Sequence, residues 1–266
     1  VSFVEGCPQL PADPTAPGGF CSKPEYFNVL NQLGVDIVEL SGNHNNDYGY
    51  DAYRTTLKWY QDNNIRTIAG GETDANARQP LLLEHNGSKV AWLSCNWIGP
   101  YYAWVNEDPN KLGGVRPGAA DCNRDWLAAT IPQLKAENDV VIVTVQYQES
   151  DSYLPLPQQR IDFAWLAGLG ADVVIGTQAH WPQTYDYAPE PDGEAFIHYG
   201  IGNFIFDQPW WANTRFFLDE LYIYDGKLQF VEIYPGIIED LGRPRLMTPE
   251  ERDEFLYLMF VKNGDF

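Results

Sequence analysis

The chain has 266 residues, 44% of them hydrophobic and 14% aromatic, enough to bury a large core and fitting one big domain or two small ones. Its formal net charge of −20 repels phosphate backbones and anionic lipid, which excludes nucleic acid as a natural partner. No run of 18 apolar residues occurs, so the sequence holds no membrane-spanning helix.

The opening "VSFVEGCP" has no Met and reads as an ordered strand, which suggests that a preceding segment is missing. "YFNVLNQLG" reads as a helix stopped by Gly34. "VDIVEL" is an apolar run with the pattern of a strand buried on both faces. "DAYRTTLKWYQDNN" is an amphipathic helix, and "IRTIAG" a second short strand. "PLLLEHNGSKVAWLSCNW" is two strands joined by Asn86-Gly87, a hairpin signal. Residues 99–121 form a long loop rich in Gly, Pro and Tyr. "DWLAATIPQLKAEN" is a helix, "DVVIVTVQY" a buried strand, "PQQRIDFAWLAGLG" a helix, and "ADVVIGTQAH" a buried strand ending in polar residues. "EAFIHYGIGNFIFD", "FFLDELYIYDG" and "KLQFVEIYP" are β-rich, with Asp225-Gly226 as a turn. "TPEERDEFLYLMFVKNG" is a C-terminal helix with Thr248 as cap, Pro249 as its first residue and Glu251 completing a capping box. This order predicts one layered α/β domain over residues 1–266 with mixed sheets.

The four cysteines, Cys7, Cys21, Cys95 and Cys122, show no CxxC spacing, so a zinc ribbon is excluded. Four cysteines allow three pairings. Cys7/Cys21 and Cys95/Cys122 each flank a loop, and these pairs are the expected disulfides of an extracellular or cell-surface protein. The alternative is four buried thiols in a cytosolic protein.

In layered α/β sheets, sites lie at the carboxyl ends of strands. Here those ends carry Asn43-His44, Gln146 to Glu149, Thr177 to His180, and Gly202-Asn203. His44, Glu149 and His180 are the candidate catalytic residues; Asn43, Asp47, Gln146, Gln178 and Asn203 are candidates for substrate binding. His198, inside a strand, reads as a packed residue, and His85 as exposed. The loop "NWIGPYYAWVNED" has rings that could stack a sugar or peptide, or cover a sheet edge. "GxSxG" and Walker-type loops are absent from the sequence.

Four segments resemble the poly-γ-glutamate capsule synthesis (CapA-type) family. "VDIVELSGNHNNDYGYDAYRTTLKWYQDNNIRTIAGG" resembles its N-N-H-x-x-D-x-G core, and "VVIVTVQYQESDSYLPLPQQ" its H-W-G-x-E-Y segment. "GLGADVVIGTQAHWPQTYDY" resembles its GADxVIGxHPHVxQ segment, and "HYGIGNFIFDQ" its YSLGNFVFD segment. The resemblance implies a calcineurin-like metallophosphoesterase fold, a β-sandwich of mixed sheets flanked by helices. It also implies a two-metal site in which Asn43 is a ligand and His44 the acid beside it.

The sequence departs from that pattern at the ligands. Gln146 and Gln178 stand where two imidazoles belong, Ala179 replaces a proline, and the family's early Gly-Asp is missing. Amide oxygens are harder, weaker donors than imidazole. A firm two-metal site is therefore not expected; a single Ca²⁺, Mg²⁺ or Mn²⁺ is the cofactor these donors admit, with Asn43 and His180 as candidate ligands.

Three functions fit. One is a hydrolase, or a transferase-like partner in anionic polymer assembly, working with one hard metal or none. Another is an extracellular binding module that holds a polymer, glycan or peptide in the old cleft. The third is a structural subunit of a surface assembly. The sequence does not set the oligomeric state.

Overall fold

The computed structural model describes residues 2–7 and 19–263, so most of the Pro/Gly-rich loop after Cys7 lies outside the described residues. In chain order the strands are β1 (Ser2–Phe3), β2 (Cys21–Ser22), β3 (Ile37–Glu39), β4 (Arg66–Ile68), β5 (Gly70–Gly71), β6 (Leu81–His85), β7 (Ser88–Asn96), β8 (Gly118–Ala119), β9 (Val140–Gln146), β10 (Val173–Thr177), β11 (Tyr185–Glu190), β12 (Gly193–His198), β13 (Arg215–Tyr224), β14 (Lys227–Glu239) and β15 (Arg243–Leu246). The helices are α1 (Asn28–Gln32), α2 (Tyr50–Asp62), α3 (Asp74–Ala77), α4 (Arg124–Glu137), α5 (Pro157–Gly168) and α6 (Pro249–Leu256). The chain divides into two compact units, Val1–Pro80 with Leu93–Cys122, and Leu81–Trp92 with Asn123–Phe266.

In the first unit, β3 runs parallel to β4 with Val38 opposite Thr67. Helix α2 buries Tyr53, Thr56 and Tyr60, the i, i+3, i+7 stripe of an amphipathic helix. Tyr53 and Tyr60 join Phe27, Leu40 and Ile65 in one core cluster. The strand expected to be buried on both faces is three half-buried residues, because β3 sits in a two-stranded sheet. Cys7–Cys21 and Cys95–Cys122 are both disulfides, the expected pairing.

The second unit is a sandwich. Its larger sheet has the order β11-β12-β10-β9-β7-β6, and its smaller one β13-β14-β15. Every residue of β9 is buried, as the apolar run predicted. The pleat divides them: Val140 and Ile142 join Val173 and Phe196 in a cluster with Leu221, Ile223, Leu228 and Val231 of the smaller sheet. Helices α4 and α5 pack against β9 and β10. β9, β10 and β12 are parallel, so their carboxyl ends share one edge of the sheet. A Cβ at Gly176 would stand 2.0 Å from the Tyr199 carbonyl oxygen, so only glycine allows that approach of β10 to the end of β12.

The Asn86-Gly87 hairpin, the Asp225-Gly226 turn and the Thr248–Glu251 capping box form as predicted. The C-terminal helix continues past α6 as a π-helical turn, Tyr257–Lys262. Strands β2, β8, β11 and β15 were not anticipated. β11 and β15 lie at sheet edges, and each contains a proline, which an edge tolerates because no ladder bond is lost there.

Candidate functional site

The segment after β3 turns at once, and its side chains tie the turn down. Asn45 Nδ2 donates to Leu40 O at 2.5 Å, and Ser2 Oγ donates to Asn45 O at 2.6 Å. The buried Asn46 donates through Nδ2 to the carbonyls of Tyr102 (2.7 Å) and Pro117 (2.9 Å). This leaves His44 and Asp47 on one wall of a pocket of about 470 Å³ with Phe20, Asn46 and Tyr102. His44 Nδ1 lies 2.8 Å from Asp47 Oδ2, an oxygen that also accepts from the Phe20 backbone N–H at 2.8 Å. An ionised carboxylate only accepts, so Nδ1 carries the proton and Nε2 is the nitrogen left for a ligand. The Asp47 side chain is 8% exposed and that of His44 37%, so a sheltered carboxylate orients a reachable imidazole. The Phe20 ring stands edge-on to His44 at 4.5 Å. Asn43 lies half-buried in the same turn.

In the second unit the ends of β9 and β10 are held in register, with Gln146 opposite Thr177. A continuous hydrogen-bonded chain starts there. Thr177 Oγ1 donates to Gln146 Oε1 at 3.1 Å, Gln146 Nε2 to Gln178 Oε1, and Gln178 Nε2 to Glu149 Oε1 at 3.0 Å. The same Glu149 oxygen lies 3.5 Å from His180 Nε2. His180 Nδ1 meets Asn203 Oδ1 at 2.8 Å; Asn203 Nδ2 donates to Gln208 Oε1 (3.1 Å) and Asn213 O (3.0 Å). Gln178 and His180 have φ of 81° and 60°, which turns both side chains out of strand geometry.

The structure thus brings Gln146, Glu149, Gln178, His180 and Asn203 together in one unit, and His44 with Asp47 in the other. Sequence reasoning missed Phe20 and Asn46 in the first group, and Gln208 and Asn213 in the second; Thr177 and the loop that carries Tyr102 were read. "GNFIFDQ" contained the signal for Gln208; nothing local marked Asn46, whose partner Tyr102 is 56 residues away.

The donor set does not fit the pair of transition metals that the resemblance implies. Gln146 Oε1 and Gln178 Oε1, the oxygens that would replace two imidazoles, each already accept a hydrogen bond. Among the described residues, no three His, Cys, Asp or Glu side chains converge as a ligand group.

A family model described as bacterial capsule synthesis protein PGA_cap matches residues 9–208. The capsule biosynthesis protein CapA of Bacillus anthracis is 24% identical over 250 residues, 91% of this chain and 57% of that protein. The PGA biosynthesis protein CapA of Bacillus subtilis (strain 168) is 25% identical over 193 residues, 72% of this chain and 47% of that protein. The chain spans about half the length of these curated relatives. A Staphylococcus aureus protein assigned as a 5′-nucleotidase, solved with alpha-ketoglutarate, matches with a TM-score of 0.53 at 14% identity, over 86% of this chain and 42% of that one. That likeness concerns the fold alone, and it agrees with the metallophosphoesterase-like α/β sandwich.

Proposed function

The chain belongs to the bacterial capsule synthesis PGA_cap family, and from that premise we propose that it is a capsule-polymer protein whose metallophosphoesterase-type site has lost its metal pair. The observation that carries this is the Gln146–Gln178 amide pair. Where the resemblance calls for two imidazoles, two neutral amides bond each other and are closed off by Thr177 and Glu149. Gln146 is buried and Gln178 half-buried, and pulling their oxygens onto a cation would orphan the donors now bonded to them. A single hard cation at Glu149 is the most this arrangement holds.

What this group offers instead is recognition. The exposed Glu149 carboxylate, held by Gln178, presents a fixed acceptor for a polymer, glycan or peptide. In the other unit, Asp47 holds His44 so that Nε2 can give or take a hydrogen bond in its pocket. Two disulfides support placement outside the cytoplasm. The chain passes between the units after residues 80, 92 and 122, which favours reading 1–266 as one domain.

Elemental analysis of protein purified without chelator tests the reading. Zinc, manganese and iron should each stay far below one equivalent, and Gln146→His with Gln178→His should raise zinc or manganese retention. Two stoichiometric transition-metal ions in the wild type, with ester hydrolysis abolished by His44→Ala, would overturn it and restore a metallohydrolase.

A further inference from the structure

The first unit contains a second pocket, of about 690 Å³, that shares no lining residue with the His44 pocket. Its volume is that of a small-molecule site. The rings of Tyr101 and Trp104 line it, with Glu107, Asp108, Lys111 and Arg78 around them.

The rings are fixed from behind by two buried polar residues. Asn96 accepts through Oδ1 from the backbone N–H of Ile98 (3.1 Å) and Gly99 (2.7 Å), and its carbonyl accepts from Trp104 Nε1 at 3.1 Å. Arg116 donates to the carbonyls of Tyr101 (2.6 Å), Trp104 (2.9 Å), Leu112 (2.8 Å) and Gly114 (3.0 Å). Yet Tyr101 remains 42% exposed. The Arg116 guanidinium carbon lies 5.4 Å from the Tyr101 ring centroid and braces that ring; a rigid, part-exposed ring gives contact area at little cost in conformational entropy.

The charges decide what those rings receive. Arg78 is held by Asp74 (2.7 Å) and by Asp121, and Arg116 is committed to backbone carbonyls. Lys111 makes no ion pair among the described residues, so one ammonium is available as donor. Glu107 gives one oxygen to the Asp74 N–H and Asp108 one to Asn110, which leaves each a second oxygen as acceptor. Asp74 and Asp121 each give one oxygen to Arg78 and keep a second, so the free polar groups are four carboxylate acceptors and one ammonium donor beside the two rings. A polyanion meets one cation against four carboxylates and the field of the whole chain. A ligand with an apolar face, several hydroxyl donors and hydroxyl acceptors satisfies all of them.

We propose that the Tyr101–Trp104 pocket binds a neutral sugar unit, stacked on the two rings, its hydroxyls bonded to Glu107, Asp108 and Lys111. This site is independent of the amide pair and of any metal at Glu149, so either reading can fail alone.

The test is a printed array of neutral and anionic glycans, followed by calorimetric titration of the neutral oligosaccharide with the strongest signal. Signals should fall on neutral glycans. Tyr101→Ala should weaken binding tenfold or more, and Lys111→Ala and Glu107→Gln about threefold each. Circular dichroism checks that Tyr101→Ala is folded; if it is not, the two exposed-residue variants decide. No retained neutral glycan, retention of anionic glycans alone, displacement of the sugar by pentalysine, or unchanged affinity in the folded variants each overturns the proposal.

Discussion

Replacing Arg116 with Met isolates how the 96–121 loop is held. The guanidinium is buried and serves four backbone carbonyls, those of Tyr101, Trp104, Leu112 and Gly114, at 2.6–3.0 Å. Met keeps much of the volume and removes every donor. Leu112 is exposed and Gly114 half-buried, so their carbonyls regain water more readily and lose less. Those of Tyr101 and Trp104 accept from the guanidinium in part-buried bonds, and each lost charged hydrogen bond costs about 1.5 kcal/mol or more. The sum is about 3 kcal/mol, which in a chain of this size lowers Tm by about 6–12 °C. Arg116→Lys should recover less than half of it, since one ammonium cannot replace a five-donor fork. Calorimetry reads the stability. Hydrogen exchange reads the place, because the Val105 and Asn106 amides, bonded to Ala119 O and Arg116 O, should lose protection first. A Tm within 1 °C of wild type, with those amides still protected, would refute the claim that Arg116 organises the loop.

Three other outcomes follow from the fold. Removing Cys95–Cys122, whose sequence separation is 27, should destabilise by about 3.6 kcal/mol in the chain-entropy model, against about 3.0 kcal/mol for Cys7–Cys21 with separation 14; denaturant titration of the two Cys→Ser pairs should rank them in that order. Gly176→Ala drives a Cβ against the Tyr199 carbonyl, which also accepts from the buried Gln159 Nε2 at 2.7 Å; a loss of at least about 2 kcal/mol is expected, and an unchanged midpoint would show that β12 can move away. Glu251 is held at a pKa of about 2, below its ordinary 4.5, by the hydrogen bond from Arg245 and then by the Thr248 backbone. A depressed folded-state value means that its contribution is present above pH 4.5 and is lost as pH falls towards 2. Acid should therefore loosen the start of α6, and Glu251→Gln should flatten that response in a pH series followed by exchange at Glu251 and Arg252 amides.

Legibility in the sequence followed the range of the physics. Asn86-Gly87, the Thr248–Glu251 box and the all-buried β9 are local signals, and each formed as read. The strand at 35–40 misled because hydrophobicity alone does not say how many strands will flank it; β3 has one. β11, with Asp186, Pro189 and Glu190, carries no apolar alternation, and its pairing with β12 is set by the partner. At the site, the family resemblance located Gln146, Gln178, His180 and Asn203. Their bonding was not legible, because it depends on the positive φ of Gln178 and His180 and on Gln208 and Asn213 reaching Asn203.

The histidines show why residue type and position fall short of a role. His44 and His180 both follow strands, and His198 ends one. His198 is wholly buried: Nδ1 lies 2.7 Å from Asp219 Oδ2 and Nε2 3.1 Å from the Gln183 carbonyl, so both nitrogens are committed within the sandwich. Breaking such a pair leaves a buried charge behind, which makes it structural. His180 is spanned between Asn203 and Glu149 and offers a ligand little beyond what that network already uses. At His44 one nitrogen faces a sheltered carboxylate, and the ring, 37% exposed, lines a pocket. What separates the three is the partner of the second nitrogen. By that criterion His44 is the imidazole whose second nitrogen is left open to its pocket.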